Sequence, residues 1–149
     1  MLSPENREVV KRHVEAETEH RMDETLATLT EDCVFDDRAL RRVWHGRDGA
    51  RDYYRMWWEA FGIRPETGAR HAAREDLLVV ETDFVGTHVG EFLGIAPTGR
   101  EVSVPMAIFV DFHDGLLSGE RFYWNVGDLM AQIGVEAPYA LPDTAPPKA

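Results

Sequence analysis

Apolar positions in this chain first recur at helical spacing and later alternate residue by residue. Val9, Val10, His13 and Val14 form one helical stripe. Ser3-Pro4-Glu5 stands before it as cap, first helical residue and an acid facing the positive helix end. A short second helix is predicted from Asp23 to Leu29, with Leu26 and Leu29 inward. Cys33–Asp37 reads as a strand and Val43-Trp44-His45 as its partner. Gly46-Arg47-Asp48-Gly49 then opens a helix from about Ala50. On that helix Tyr54, Trp57, Trp58 and Phe61 share a face that Tyr53, Met56 and Ala60 widen. So large an aromatic surface requires a deep partner.

The period becomes two after the Gly62–Gly68 loop. A strand region begins at His71–Arg74, turns near Glu75-Asp76 and resumes at Leu77. Leu78, Val80, Thr82, Phe84, Gly86 and His88 fall on one face, while the other carries Glu81 and Asp83 and is expected to meet solvent. Glycines at 86, 90, 94 and 99 mark bends or close approaches, and Pro97-Thr98-Gly99 marks a turn, giving a long hairpin kinked on its first arm. Val102 to Phe112 alternate with a second face that is itself fairly apolar. A homodimer partner on the outer sheet face would cover it. His113-Asp114-Gly115 closes a hairpin, Glu120–Asn125 is the last strand, and Asp128–Gln132 is a helical turn ended by Gly134. Helices followed by hairpin-linked strands indicate α+β: helices on one face of a curved antiparallel sheet, with room for a small apolar ligand between them.

Length favours one domain over residues 1–136, followed by a tail at 137–149 with four prolines in thirteen residues and no core of its own. A net charge of −11 repels phosphate backbones and anionic lipid, which argues against nucleic-acid and membrane partners. Cys33 is the single cysteine, so no internal disulfide forms, which suits the cytoplasm. His13 and His20 could align on one helix face but lack a third ligand, so no metal is expected. Nucleotide-binding glycine motifs, CxxC, HExxH and a nucleophile-elbow serine are all missing, so no cofactor is expected either. Any catalysis would be proton transfer inside an apolar pocket, where carboxyl pKa values rise and hydrogen bonds to an enolate strengthen.

The stretch Gly86-Thr87-His88-x-Gly90-Glu91-Phe92-x-Gly94-Ile95-x-Pro97-Thr98-Gly99-Arg100, with Asp114-Gly115, Tyr123-Trp124-Asn125 and Gln132-Ile133-Gly134, resembles SnoaL-like polyketide cyclases. These belong to the nuclear-transport-factor-2-like, ketosteroid-isomerase-like superfamily. The resemblance spans residues 5 to 136. It implies a cone-shaped α+β barrel in which N-terminal helices pack on a strongly curved mixed or antiparallel sheet around a pocket. It also implies acid–base cyclisation, isomerisation or hydration/dehydration of an apolar aromatic or polycyclic molecule.

The family's last-strand Asp, seven positions before the Gln, falls here on Asn125, which can hydrogen-bond but not take up a proton at neutral pH. A non-catalytic small-molecule binder of the same fold is therefore the alternative. Asp37 resembles in position the general base of ketosteroid isomerases. His88 is a second candidate base, or a core histidine, and Tyr123 a candidate donor on the Asn125 strand face. Trp44, Tyr54, Trp57, Phe84, Phe109 and Trp124 are candidate ligand-binding walls.

Overall fold

Ser3 begins the first helix as its sequence predicts: its side chain accepts the Asn6 backbone N–H at 3.2 Å, and Pro4 follows. A computed structural model describes residues 1–66 and 68–135. In chain order the elements are α1 (Pro4–Thr18), α2 (Met22–Ala27), β1 (Leu29–Asp37), β2 (Arg42–His45), α3 (Gly46–Phe61) and β3 (Arg64–Pro65). Then come β4 (Ala69–Arg74), β5 (Leu77–Thr87), β6 (Glu101–His113), β7 (Leu116–Trp124) and α4 (Val126–Gln132). The tail expected at 137–149 lies outside the described residues. Among those residues no helix is long and apolar enough to cross a membrane.

The strands form one open sheet in the order β2-β1-β7-β6-β5-β3, with β4 also paired to β5. β1 and β7 run parallel and every other pair is antiparallel, so the sheet is mixed. Its inner face carries Cys33 and Phe35 of β1, Leu78 and Phe84 of β5, the even positions of β6 from Val102 to Phe112, and Phe122 of β7, all buried. This is the face that period-two alternation assigns to the core. The aromatic stripe of α3 packs onto it, with Tyr53, Tyr54, Trp57 and Phe61 buried. Gly62 ends the helix in the left-handed conformation at φ +56°.

Two local expectations change, and one contact is new. Leu29 belongs to β1 rather than to α2, because Thr28 turns its hydroxyl onto the Thr25 carbonyl and ends the helix there; Leu29 is still buried. The first arm of the long hairpin is not a kinked strand beyond Thr87. Residues 88–100 form an irregular loop with one Phe92–Ile95 bridge. This loop wraps the end of α3, where Val89 and Gly90 donate N–H bonds to the Ala60 carbonyl at 2.9 and 3.0 Å. Gly86 and Gly90 are required by that approach: a Cβ would lie 2.4 Å from the Phe61 carbonyl oxygen and 2.2 Å from that of Glu59. Finally, Gln132 acts as a surrogate strand. Its side-chain amide exchanges two 2.8 Å bonds with the Ser103 backbone, on the stretch of β6 that β7 does not reach.

The outer face of the sheet carries Tyr123, 44% exposed, beside Phe109, with Val34 and Val43 also exposed. Arg121 lies over Phe109 and pairs with Asp111.

Candidate functional site

Between α1 and the concave face of the sheet lies a cavity of about 510 Å³. Val10 and Val14 of α1, Leu78 and Val80 of β5, and Ile108 and Val110 of β6 supply greasy walls. The exposed Glu66 and Arg70, on either side of the β3–β4 turn, stand at its rim. Its polar end is built from both ends of the chain: His13 and Glu17 of α1 and Glu120 of β7. One helical turn separates His13 from Glu17, so the two share the face that α1 presents to the sheet.

A chain of hydrogen bonds fixes the state of His13. The Thr28 hydroxyl donates to the Thr25 carbonyl at 2.6 Å, so its oxygen is left to accept Nδ1–H of His13 at 2.7 Å. Nε2 therefore carries the lone pair, and the Tyr54 hydroxyl, 3.2 Å away, donates to it. Burial lowers the His13 pKa to about 4, so the ring is neutral at neutral pH. Burial, followed by the nearby charges of Glu120 and Glu17, raises Tyr54 well above its usual range and keeps it a donor.

Both carboxyls face this imidazole without bonding to it: Glu17 Oε2 is 3.8 Å and Glu120 Oε1 3.7 Å from Nε2. Neither has a hydrogen-bond partner among the described residues, although the Glu120 side chain is only 7% exposed and that of Glu17 17%. Burial raises Glu17 to about 7. Burial together with the Glu17 charge holds Glu120 well above the ordinary carboxyl range. Burial thus favours the protonated form of both carboxyls, and near neutral pH Glu17 divides between acid and base. Two carboxyls with raised pKa values beside an apolar chamber are suited to donating and accepting protons on one bound molecule.

The sequence-predicted residues are not brought together here. His88 is fully buried beneath the 88–100 loop, its ring 5.1 Å from that of Phe61; Nδ1 accepts the Thr98 backbone N–H at 3.3 Å, and Nε2 has no partner among the described residues. Asn125 is exposed and caps α4, its Oδ1 accepting the Asp128 N–H at 3.1 Å. Tyr123 faces outward. Asp37 is fully buried in a closed set, accepting from Tyr53 Oη at 2.8 Å, Trp124 Nε1 at 2.9 Å and Leu40 N at 2.8 Å. Of the expected walls, Phe84 lines the chamber, and Tyr54 and Trp57 line a smaller pocket beside it that shares Glu17 and Phe84. Trp57 and Trp124 pack on each other at 5.1 Å, Trp44 packs on Tyr53 at 4.9 Å, and Phe109 lies on the outer face. His20 stacks on Trp58 at 4.6 Å and bonds the Ile63 carbonyl, apart from His13.

Glu17 and Glu120 escape the sequence reading because a lone glutamate on a helix or strand reads as a solvent-facing charge. Two signals were present. Glu17 extends the Val10–His13–Val14 stripe by one turn, and Glu120 has the strand parity of buried Phe122, whereas Tyr123 and Asn125 have the opposite one.

Against known proteins, the family model described as SnoaL-like polyketide cyclase matches residues 7–133. Among curated proteins, no sequence matches. Solved structures do. A proposed polyketide cyclase of Xanthomonas campestris pv. campestris superimposes with TM-score 0.79 at 20% identity, covering 87% of this chain and 97% of that one. A proposed SnoaL-like polyketide cyclase of Jannaschia sp. CCS1 gives 0.77 at 22% identity, covering 92% and 99%. A hypothetical protein of Catenulispora acidiphila with a ketosteroid isomerase-like fold, solved with trimethylamine, gives 0.74 at 17% identity, covering 90% and 98%. At such identities these structures establish the fold.

Proposed function

The chain belongs to the SnoaL-like polyketide cyclase family, and from that we propose a cofactor-independent enzyme that moves protons on an apolar aromatic or polycyclic carbonyl compound held in the α1–sheet chamber. The observation that carries this reading is Glu120: a carboxyl more than nine-tenths buried, without a hydrogen bond among the described residues, facing the cavity. Its oxygens face the cavity rather than a protein donor, so a bound molecule can hydrogen-bond to them. In this reading protonated Glu120 donates to the substrate oxygen while ionised Glu17 takes a proton from the adjacent carbon. The resulting enol serves isomerisation, cyclisation or dehydration alike. Neutral His13, held by Thr28 and Tyr54, gives neither carboxyl a competing N–H.

Replacing Glu120 by Gln keeps size and polarity but removes the proton. We expect kcat/KM on a responsive ketone to fall by about 10²–10⁴-fold, with KM little changed. An unchanged kcat would sink the role of Glu120. Asn125, standing where the family's Asp is expected, favours a second reading, a non-catalytic binder. Wild-type protein that binds a panel of aromatic ketones and converts none of them would establish that reading instead.

We also propose a cytoplasmic setting, in keeping with Cys33, whose buried thiol is pushed up to about 11 by burial and then by Glu120. A second copy of the chain is the partner we assign to the outer sheet face around Tyr123.

A further inference from the structure

We infer that the molecule this chamber is built to take carries a protonated amine on its apolar body, seated between Glu17 and Glu120. The inference rests on the chamber being a small-molecule site and names the chemistry of its occupant.

The argument is a donor count. Two carboxyls present four oxygens to one end of the cavity, and the chain supplies them with no donor among the described residues. The nearest nitrogen, His13 Nε2, cannot help, because its single lone pair already receives the Tyr54 hydroxyl and its only N–H points to Thr28. Tyr54 has spent its one proton on His13. The other titratable groups on the cavity are Glu66, a third carboxyl, and Arg70, whose exposed guanidinium lies within 4 Å of none of them. Charged side chains so little exposed are rare unless paired, and here the pairing group is not supplied by the described residues.

The field at this end has the same sign. α1 finishes at Thr18 with Glu17 in its last turn and no basic residue there, so the negative end of the helix lies beside the carboxyls. A cation is what such a helix end stabilises. An ammonium has three N–H donors and no acceptor, which complements the two carboxyls in their ionised form. An alcohol offers one donor and a carboxylate none. The walls of Val10, Leu78, Val80, Ile108 and Val110 would hold the apolar remainder of the molecule. Pairing with an ammonium would favour the ionised form of Glu17, so binding would release protons. Glu120 is raised first by burial and then by the Glu17 charge, and the ammonium would offset the second of these.

Three probes of one skeleton test this by calorimetry on the full chain at about pH 7: 2-naphthylmethylamine, 2-naphthylmethanol and 2-naphthoate. The amine should bind at least about tenfold more tightly than the alcohol and the carboxylate most weakly. The amine's heat should also vary with buffer ionisation enthalpy in the sense of proton release. In Glu17→Gln the amine-to-alcohol ratio should fall towards one. Equal binding of amine and alcohol by wild-type protein, or a preference that survives Glu17→Gln, overturns the inference. If that happens while Glu120→Gln still abolishes ketone turnover, the proposed enzyme reading stands alone. If no probe binds, the chamber reading and this inference fall together.

Discussion

Three side chains at the polar end of the cavity pull the pH dependence of folding in opposite directions. Glu17 rises from 4.5 to about 7 on folding and Glu120 rises well above 4.5. A group with a raised folded pKa contributes stability in full below its unfolded pKa and loses it as pH climbs through the folded one. His13 falls from 6.5 to about 4, so its contribution is complete above about 6.5 and lost as pH drops towards 4. Between those limits the folded chain gains up to two protons on its carboxyls and forgoes one on its imidazole. Wild-type stability should therefore fall between about pH 5 and about pH 7, and Glu17→Gln should flatten the decline. Urea midpoints at the two pH values measure it. A wild-type midpoint that rises across this interval would contradict the assigned shifts.

At the scale of elements, the contact that fixes the end of α3 is the one with the 88–100 loop. The aromatic stripe of α3 was readable because a 3.6-residue period is a local property, written in Tyr54, Trp57 and Phe61 themselves. The glycines at 86 and 90 were readable as close approaches, but not what approaches them. The answer is the last turn of α3, whose Phe61 and Glu59 carbonyls sit where a Cβ would be. Gly90→Ala should accordingly cost about 1–3 kcal/mol, since backbone rather than a flexible side chain must move. For a chain of this size that lowers Tm by several degrees. A calorimetric Tm within about 1 °C of wild type would show that the loop can lift off the helix without consequence. His88 lies inside this same contact, which accounts for an inward-facing histidine that lines no cavity.

For the whole molecule, the outer face of the open sheet has apolar side chains exposed among the described residues. Tyr123, Val34 and Val43 are exposed on it and Phe109 is half-buried. With a second copy proposed there, light scattering at micromolar concentration should give about twice the 16.9 kDa chain mass. Tyr123→Glu would place a charge at the centre of that contact and should return the monomer with the fold intact by circular dichroism. Wild-type protein that runs as a monomer removes the proposed partner.

Element type, the inward face of β5 and β6, and membership of an α+β pocket fold were determined by the sequence alone. Each depends on the spacing of neighbouring side chains or on a contiguous motif. Where the polar site lies was decided only by tertiary structure. His13 and Glu17 come from the first helix and Glu120 from the last strand, and nothing local distinguishes these glutamates from solvent-facing ones. The same holds in reverse for Asp37 and Asn125, which look like chemistry in one dimension. The fold gives the first a tyrosine, a tryptophan and a backbone N–H, and makes the second a helix cap. Whether a carboxyl is spent on structure or left free for a ligand depends on which donors packing brings within about 3 Å of it, and distance in space is not encoded in distance along the chain.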